Sequence, residues 1–417
     1  MTDGAIRIGT TTKCRFCGGA LFDFVDLGMS PLCESFVPKD RLNIAERFYP
    51  LAAYVCGSCF LVQLEEYVAP EEIFSEYAYF SGFSDAWLKH AERYVEMIAE
   101  KLRLGRTTKV VEIGSNDGYL LQYFVKKEIS VLGVEPAINV AAAARQRGVE
   151  TLAKFFSAAV ATELAGAGTK ADLIVANNVM AQVPELNSFV EGIGILLKPD
   201  GVCTVEFPHL LRTILGNQFD QIYHEHFSYF SALTAQQIFA AHGLRIFDIE
   251  ELWTHGGSLR LYACRANGAK YPTQSSVSRI IQQEREAGLD RVDAYARFAH
   301  QVRDTKRKIL TFLIEAKNAG KSIAGYGAPG KGNTLLNYCG VRTDFIDYTV
   351  DRNPYKQGMY LPGTRIPIFA PDKIAATRPD YVMILPWNLR EEIAGQLGYV
   401  RDWGAKFVVP IPEVTVF

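Results

Sequence analysis

The chain is expected to be an α/β protein in three parts, a cysteine-bearing N-terminal lobe followed by two Rossmann-like α/β domains. Three observations predict it. Two C-x-x-C pairs, Cys14/Cys17 and Cys56/Cys59, lie near the N-terminus. Short apolar runs then alternate with helix-like stretches: KVVEIGS, VLGVE, DLIVAN, GVCTVEF. A second such series, SIAGYG, DFIDYTVD, RIPIFAP, YVMILPW and KFVVPIP, closes the chain. Alternation of this kind builds a doubly wound, mostly parallel sheet whose strands are covered on both faces.

The bulk properties agree. A chain of 417 residues exceeds one typical core, so two or three domains are expected. A hydrophobic fraction of 48% with 22% charged residues is ordinary for a soluble globular protein. The formal net charge of −2 gives no electrostatic reason to bind a nucleic acid polymer or an anionic membrane. No apolar run is long enough to span a bilayer, and MTDGAIRIGTTTKC lacks the apolar core of a signal peptide. The expected location is therefore the cytoplasm, where eight cysteines argue for metal binding or incidental burial rather than disulfides. Nothing in the sequence points to an obligate protein partner.

In residues 1–70, the two C-x-x-C pairs are separated by 38 residues. Each short turn can aim two thiolates at one ion, so Cys14, Cys17, Cys56 and Cys59 suit a tetrahedral structural zinc with no open position. A redox C-x-x-C is the rival reading, and no βαβ pattern surrounds either pair. Metal binding would largely supply the folding energy of so small a lobe. Cys33 is an unpaired extra; Cys203, Cys264 and Cys339 fall in apolar segments and are expected to be buried.

In residues 71–270, the run KVVEI ends in the turn GSNDG, with Gly114, Asn116, Asp117 and Gly118, and a helix-like stretch follows. Glu135 closes the next run, 21 residues after Gly114. This is a nucleotide-type cofactor loop with an acid at the end of the second strand. The dinucleotide pattern G-x-G-x-x-G is absent, and the turn instead resembles motif I of S-adenosylmethionine-dependent methyltransferases. Glu112 could then reach an amino group, amides at the helix start could hold a carboxylate, and Glu135 could accept from ribose hydroxyls. Asn177 and Asn178 end DLIVAN where adenine or the methionine tail would lie. Late in this zone, LRIFDIEELW and SLRLYACR read as an antiparallel pair.

After GVCTVEF comes PHLLRTILGNQFDQIYHEHFSYFS, with Tyr223, His224, Glu225 and His226 in succession. A loop at the carboxyl end of such a strand faces the ligand crevice. H-x-H lacks a third metal ligand nearby, so a His–Glu pair for proton transfer is preferred, with His226 favoured over His224.

Residues 271–318 carry Val292, Tyr295, Phe298, Val302, Ile309 and Leu313 at helical spacing, which predicts long amphipathic helices joining two domains. In residues 319–417, the glycine-rich GYGAPGKGNTLLN with Lys331 suits a diphosphate, and Asp351 ends the next strand near a ribose or base. His255, in the tight segment HGGSLR, is a further substrate candidate.

Taken in order, the cysteine lobe, VEIGSNDGYLL, FDQIYHEHFSYFS and GYGAPGKGNTLLN resemble the three-domain S-adenosylmethionine-dependent sugar C-methyltransferases of unusual deoxysugar pathways, along essentially the whole chain. Relatives act at C3 of nucleotide-linked 4-keto-6-deoxyhexoses. The resemblance implies that the middle domain binds S-adenosylmethionine and that the nucleotide sugar lies between it and the C-terminal domain. It places the family's Y-x-E-H motif on Tyr223, Glu225 and His226, with His226 as the base that removes the C3 proton. A tyrosine preceding the methyltransferase core, Tyr77 or alternatively Tyr79, would line the site. Gln182 stands where relatives often have histidine, and an amide cannot exchange a proton at neutral pH. The implied substrate is a dTDP- or GDP-linked 4-keto-6-deoxy sugar. The alternatives are O- or N-methylation of a related sugar, and a non-catalytic nucleotide-sugar binder.

Overall fold

The computed structural model describes residues 13–74, 82 and 85–417; Tyr77 and Tyr79 lie outside the described residues. Three sheets carry the described residues. The first is antiparallel and joins Leu21–Ser30, Tyr49–Cys56 and Val62–Leu64 to Ser228–Tyr229. Its fourth strand therefore comes from the histidine loop, far downstream.

The second sheet runs Thr151–Leu152, Ser130–Val134, Lys109–Ile113, Ala171–Asn177 and Leu197–Pro208 in parallel. Ser258–Arg265 then inserts antiparallel, and Leu244–Leu252 closes the edge as the expected antiparallel pair. Strand order reverses between Lys109–Ile113 and Ala171–Asn177, which opens a crevice at their carboxyl ends. In the third sheet, Ile368–Phe369, Tyr348–Val350, Ile323–Tyr326, Tyr381–Ile384 and Lys406–Val409 are parallel, and Thr415–Val416 adds antiparallel. Its order reverses between Ile323–Tyr326 and Tyr381–Ile384.

The expected connecting helices are Ser275–Glu286 and Val292–Asn318. The second does more than join. Tyr295, Phe298, Val302, Ile309 and Leu313 are buried, and Phe298 stacks on Phe24 of the first sheet with ring centroids 4.7 Å apart and planes 4° off parallel. Phe24 and Leu51 share one apolar cluster with Ile323 and Val382 of the third sheet. Cys14, Cys56 and Cys59 of the lobe cluster instead with Ile174 and Val205 of the second sheet. A lobe too small to bury a core of its own thus borrows two, so the metal is not its sole source of folding energy. Cys203, Cys264 and Cys339 are buried as expected. Among the described residues, no helix is long and apolar enough to cross a membrane.

Candidate active site

The crevice of the second sheet holds the cofactor candidates. Gly114 and Gly118 have φ of 68° and 76°, and a Cβ on either would come within 2.9 Å of Val179 or Val149. Only glycine meets both demands. Several amides of the turn itself are used within the fold. The N–H groups of Gly114 and Ser115 donate to the Val134 carbonyl, and that of Gly118 donates to Ser115. The following helix begins only at Leu121 and has six residues. Glu135 accepts from the Asn116 and Ala137 amides at 2.9 Å each, and each oxygen keeps a lone pair for a ribose hydroxyl.

Three carboxyl groups crowd this turn. Asp117 is fully buried and paired with Arg147 at 2.7 Å. Burial, then the charges of Glu135 and Asp117, hold the Glu112 carboxyl well above the usual range, and burial also raises Glu135. Such a crevice suits a cation, and S-adenosylmethionine carries a sulfonium and an ammonium. Asn177 Oδ1, both polar side-chain atoms of Asn178 and Ser115 Oγ are buried without a hydrogen-bond partner. Each orphan costs about 1–3 kcal/mol unless a ligand supplies the missing bond. On both grounds the residues fit this cofactor.

The histidine loop leaves the strand Leu197–Pro208 and is pinned at both ends by one side chain. Glu284 of the first connecting helix lies 2.7 Å from His209 Nε2 and accepts from the amides of Ala232 and Leu233 at 2.6 and 2.7 Å. Inside it, the neighbouring histidines part company. His224 donates from Nε2 to the Pro50 carbonyl at 3.0 Å and so anchors the loop to the lobe. His226 Nδ1 lies 3.0 Å from the Gln221 carbonyl. A carbonyl only accepts, so Nδ1 carries the proton and Nε2 keeps the basic lone pair. Desolvation pulls this imidazole down to about 4; the Gln221 bond opposes the shift and the Lys331 charge adds to it. The Tyr223 ring lies against it at 4.1 Å between centroids. His226 lines a narrow cavity with Ala181, Phe207, Thr213, Gln221 and Tyr229; Gln182 follows Ala181 in a single helical turn. Glu225 accepts from the Cys33 thiol at 3.6 Å.

The C-terminal candidates require a correction. The glycine-rich turn does not present a diphosphate cradle, because the lobe fills it. Glu34 takes the Gly330 amide and pairs with Lys356 at 3.2 Å, while Asn333 donates to the Cys33 carbonyl at 2.6 Å. Asp351 accepts from the Ala328 and Asn353 amides at 2.7 and 2.8 Å, one on each oxygen, as Glu135 does in its own turn. Lys331 turns elsewhere. Its ammonium sits over the Trp387 ring at 5.1 Å from the centroid, and the Trp387 indole donates to Asp220 at 2.7 Å. His255, with φ of 53°, is desolvated to about 3, with the charge of Lys331 as the next cause. Three expected residues, His226, His255 and Lys331, are therefore brought within electrostatic reach of one another.

Sequence reading missed a further buried network. Glu206 has no exposed surface and lies 3.1 Å from Arg260, 3.3 Å from His90 and 2.9 Å from Thr254. Burial pushes its carboxyl up, but His90, Arg260 and Thr254 outweigh this and hold it below the usual range. Trp87 stacks on His90 at 5.0 Å and meets both His255 and Tyr119, linking the network to the cofactor turn. An acid at the carboxyl end of the otherwise apolar GVCTVEF was the available signal.

The four cysteine sulfurs lie within 4.8 Å of one another. Cys14 and Cys59 are 3.6 Å apart, Cys17 and Cys56 3.5 Å. Tetrahedral zinc, with bonds of about 2.3 Å, spaces its sulfurs about 3.8 Å apart. The Ser58 and Cys59 amides donate to Cys56 Sγ at 3.4 and 3.5 Å, as suits a thiolate. The knuckles dock on the second sheet's layer, where Asn187 donates to the Phe16 carbonyl and Thr234 to that of Cys59, both at 3.0 Å. The residues fit a closed structural zinc.

Comparison with known proteins gives matches in three blocks. A zinc binding domain model matches residues 14–74, a methyltransferase domain model residues 87–249, and a C-methyltransferase C-terminal domain model residues 253–412. The strand Ser258–Arg265 pairs into the second sheet although the third match already covers it. C-methyltransferase NovU of Streptomyces niveus is 36% identical over 405 residues, 97% of this chain and 96% of that protein. A magnesium protoporphyrin IX methyltransferase from Synechocystis PCC 6803 is 16% identical over 43% of this chain and 82% of its own, with a TM-score of 0.32. An S-adenosylmethionine-dependent methyltransferase from Mesorhizobium loti is 14% identical over 43% of this chain and 100% of its own, with a TM-score of 0.35.

Proposed function

Because the chain belongs to the C-methyltransferase family and is an S-adenosylmethionine-dependent enzyme of that kind, we propose that it methylates C3 of a nucleotide-linked 4-keto-6-deoxy sugar, dTDP- or GDP-linked, with His226 as the base. The observation that carries the proposal is the state of His226. A desolvated neutral imidazole, its Nδ1 proton committed to Gln221, leaves Nε2 as the acceptor. A neighbouring carbonyl acidifies the hydrogen on carbon and so lets that carbon become a nucleophile, and a neutral base is what removal of that hydrogen requires.

The substrate is proposed to lie beside His226, within electrostatic reach of His255 and Lys331. His226 Nε2 takes the C3 proton, and the electron pair of the C–H bond becomes the C3–C4 double bond of an enolate. Tyr223, packed against the imidazole, fixes the plane of the ring, and Glu225 lies beside it in the motif. Gln182 serves as a hydrogen-bonding group and takes no part in proton transfer. Glu112, Asp117, Glu135, Asn177 and Asn178 hold S-adenosylmethionine, which when bound supplies a sulfonium methyl group to the enolate carbon. Holding both reactants in place removes much of the entropic barrier.

The test is incubation with a panel of dTDP- and GDP-linked 4-keto-6-deoxyhexoses plus S-adenosylmethionine, read by mass spectrometry. One sugar should gain the mass of a single methylene. A panel left unconverted, with methylation of a sugar that has no ketone, would sink the proposal.

A further inference from the structure

Lys331 is the least explained charge near the cleft. It is 9% exposed, and its ammonium has Asn388 Oδ1 at 3.4 Å and the face of Trp387 as near neighbours. The carboxylate whose charge it feels is Asp220, which is fully buried and leaves Oδ1 without a hydrogen-bond partner. Trp387 ties the three together and fixes their position. Its indole N–H bonds Asp220, and its ring packs so tightly on Gly256 that a Cβ there would come within 2.5 Å. Asp220 directly precedes Gln221, whose carbonyl sets the His226 tautomer and whose side chain donates to the His255 carbonyl at 3.0 Å. The ammonium is thus mounted on the same frame as the base. The anion cradle in its own turn is filled by Glu34 and Cys33, so a diphosphate has no place there.

Resting on the keto-sugar reading above, we propose that Lys331 is a catalytic residue whose ammonium receives the C4 oxygen of the enolate as His226 removes the C3 proton. Electrons and protons balance within the substrate and the pair of side chains. The C3–H bond breaks, its proton goes to His226 Nε2, its electron pair forms the C3–C4 double bond, and the carbonyl π pair moves to the C4 oxygen beside Lys331. Reprotonation reverses each step without any methyl donor. Burial lowers the lysine to about 8, with Asp220 opposing, so it remains mainly charged at neutral pH. A desolvated charge beside the developing oxyanion is worth more than the same charge in water.

The experiment is deuterium exchange at C3 in heavy water, followed by NMR, with dTDP- and GDP-4-keto-6-deoxyhexoses and no S-adenosylmethionine. Wild type is compared with Lys331→Met, and calorimetry of dTDP and GDP runs in parallel. Removing one oxyanion donor typically costs about 10²–10³-fold. The expected result is a loss of that size in saturated exchange rate, with nucleoside diphosphate affinity within about threefold. Retained exchange at saturation, with a large rise in KM and weakened dTDP or GDP binding, overturns the assignment in favour of a diphosphate contact. Because buried Asp220 would lose the nearby positive charge, Lys331→Met/Asp220→Asn is the folding-safe companion, checked by melting and zinc content, and the same outcomes apply to it. No exchange by the wild-type protein overturns the keto-sugar reading and the assignment with it; normal exchange in both variants overturns the assignment alone.

Discussion

The desolvation of His226 has a consequence that needs no substrate to observe. From an ordinary 6.5 down to about 4, at about 1.4 kcal/mol per pH unit, the native fold disfavours the imidazolium by about 3 kcal/mol. In the unfolded chain the side chain takes up a proton below 6.5; in the native protein it resists until about 4. The unfolded state therefore binds more protons in that window, and stability falls as pH falls through it. Glutamine fills a similar volume and does not titrate. Urea unfolding of wild type and His226→Gln at several pH values between 7 and 5 should show the difference between them changing by about 1.4 kcal/mol per unit below 6.5, wild type losing ground. The same shift puts the acid limb of kcat/KM near 4. Parallel stability curves, or an acid limb at the normal imidazole value, would refute the picture of a desolvated neutral base.

Elemental analysis should find one zinc per chain, lost when Cys14 and Cys17 are both changed to Ser, with melting lowered as the knuckles leave Asn187 and Thr234; unchanged metal content would contradict the site. Glu135→Ala removes the acceptor expected for the ribose and should weaken S-adenosylmethionine binding about 10–100-fold by calorimetry, at 1.5–3 kcal/mol for bonds to a charged group; unaltered affinity would remove Glu135 from the cofactor site. Phe298→Ala deletes a fully buried ring stacked on Phe24 and should cost about 3–5 kcal/mol in urea unfolding. A loss under 1 kcal/mol would mean that the lobe does not rest on the connecting helix.

Much of this architecture was legible because apolar runs buried on both faces read plainly in one dimension. The strands KVVEI, SVLGV and ADLIVAN, the antiparallel pair after residue 244 and the stripe on Val292–Asn318 all follow from local pattern. The C-x-x-C spacing gave the metal cluster for the same reason. What escaped was set by partners distant in sequence. Nothing local says that Ser228–Tyr229 will complete the lobe's sheet, or that Glu34 will enter a glycine-rich turn nearly 300 residues downstream. GAPGKG reads as a phosphate loop because its composition permits one; packing from the lobe decides against it. The Glu206–His90–Arg260 network was hidden similarly, since its members meet from two strands and from the helix Asp85–Leu102.

The most direct test of carbon methylation beside a ketone is the NMR spectrum of the product made with carbon-13-labelled methyl donor. The expected signal is a methyl singlet correlated to a quaternary C3 adjacent to the C4 carbonyl. A labelled methyl bonded to oxygen or nitrogen, or to a carbon remote from the ketone, would contradict it.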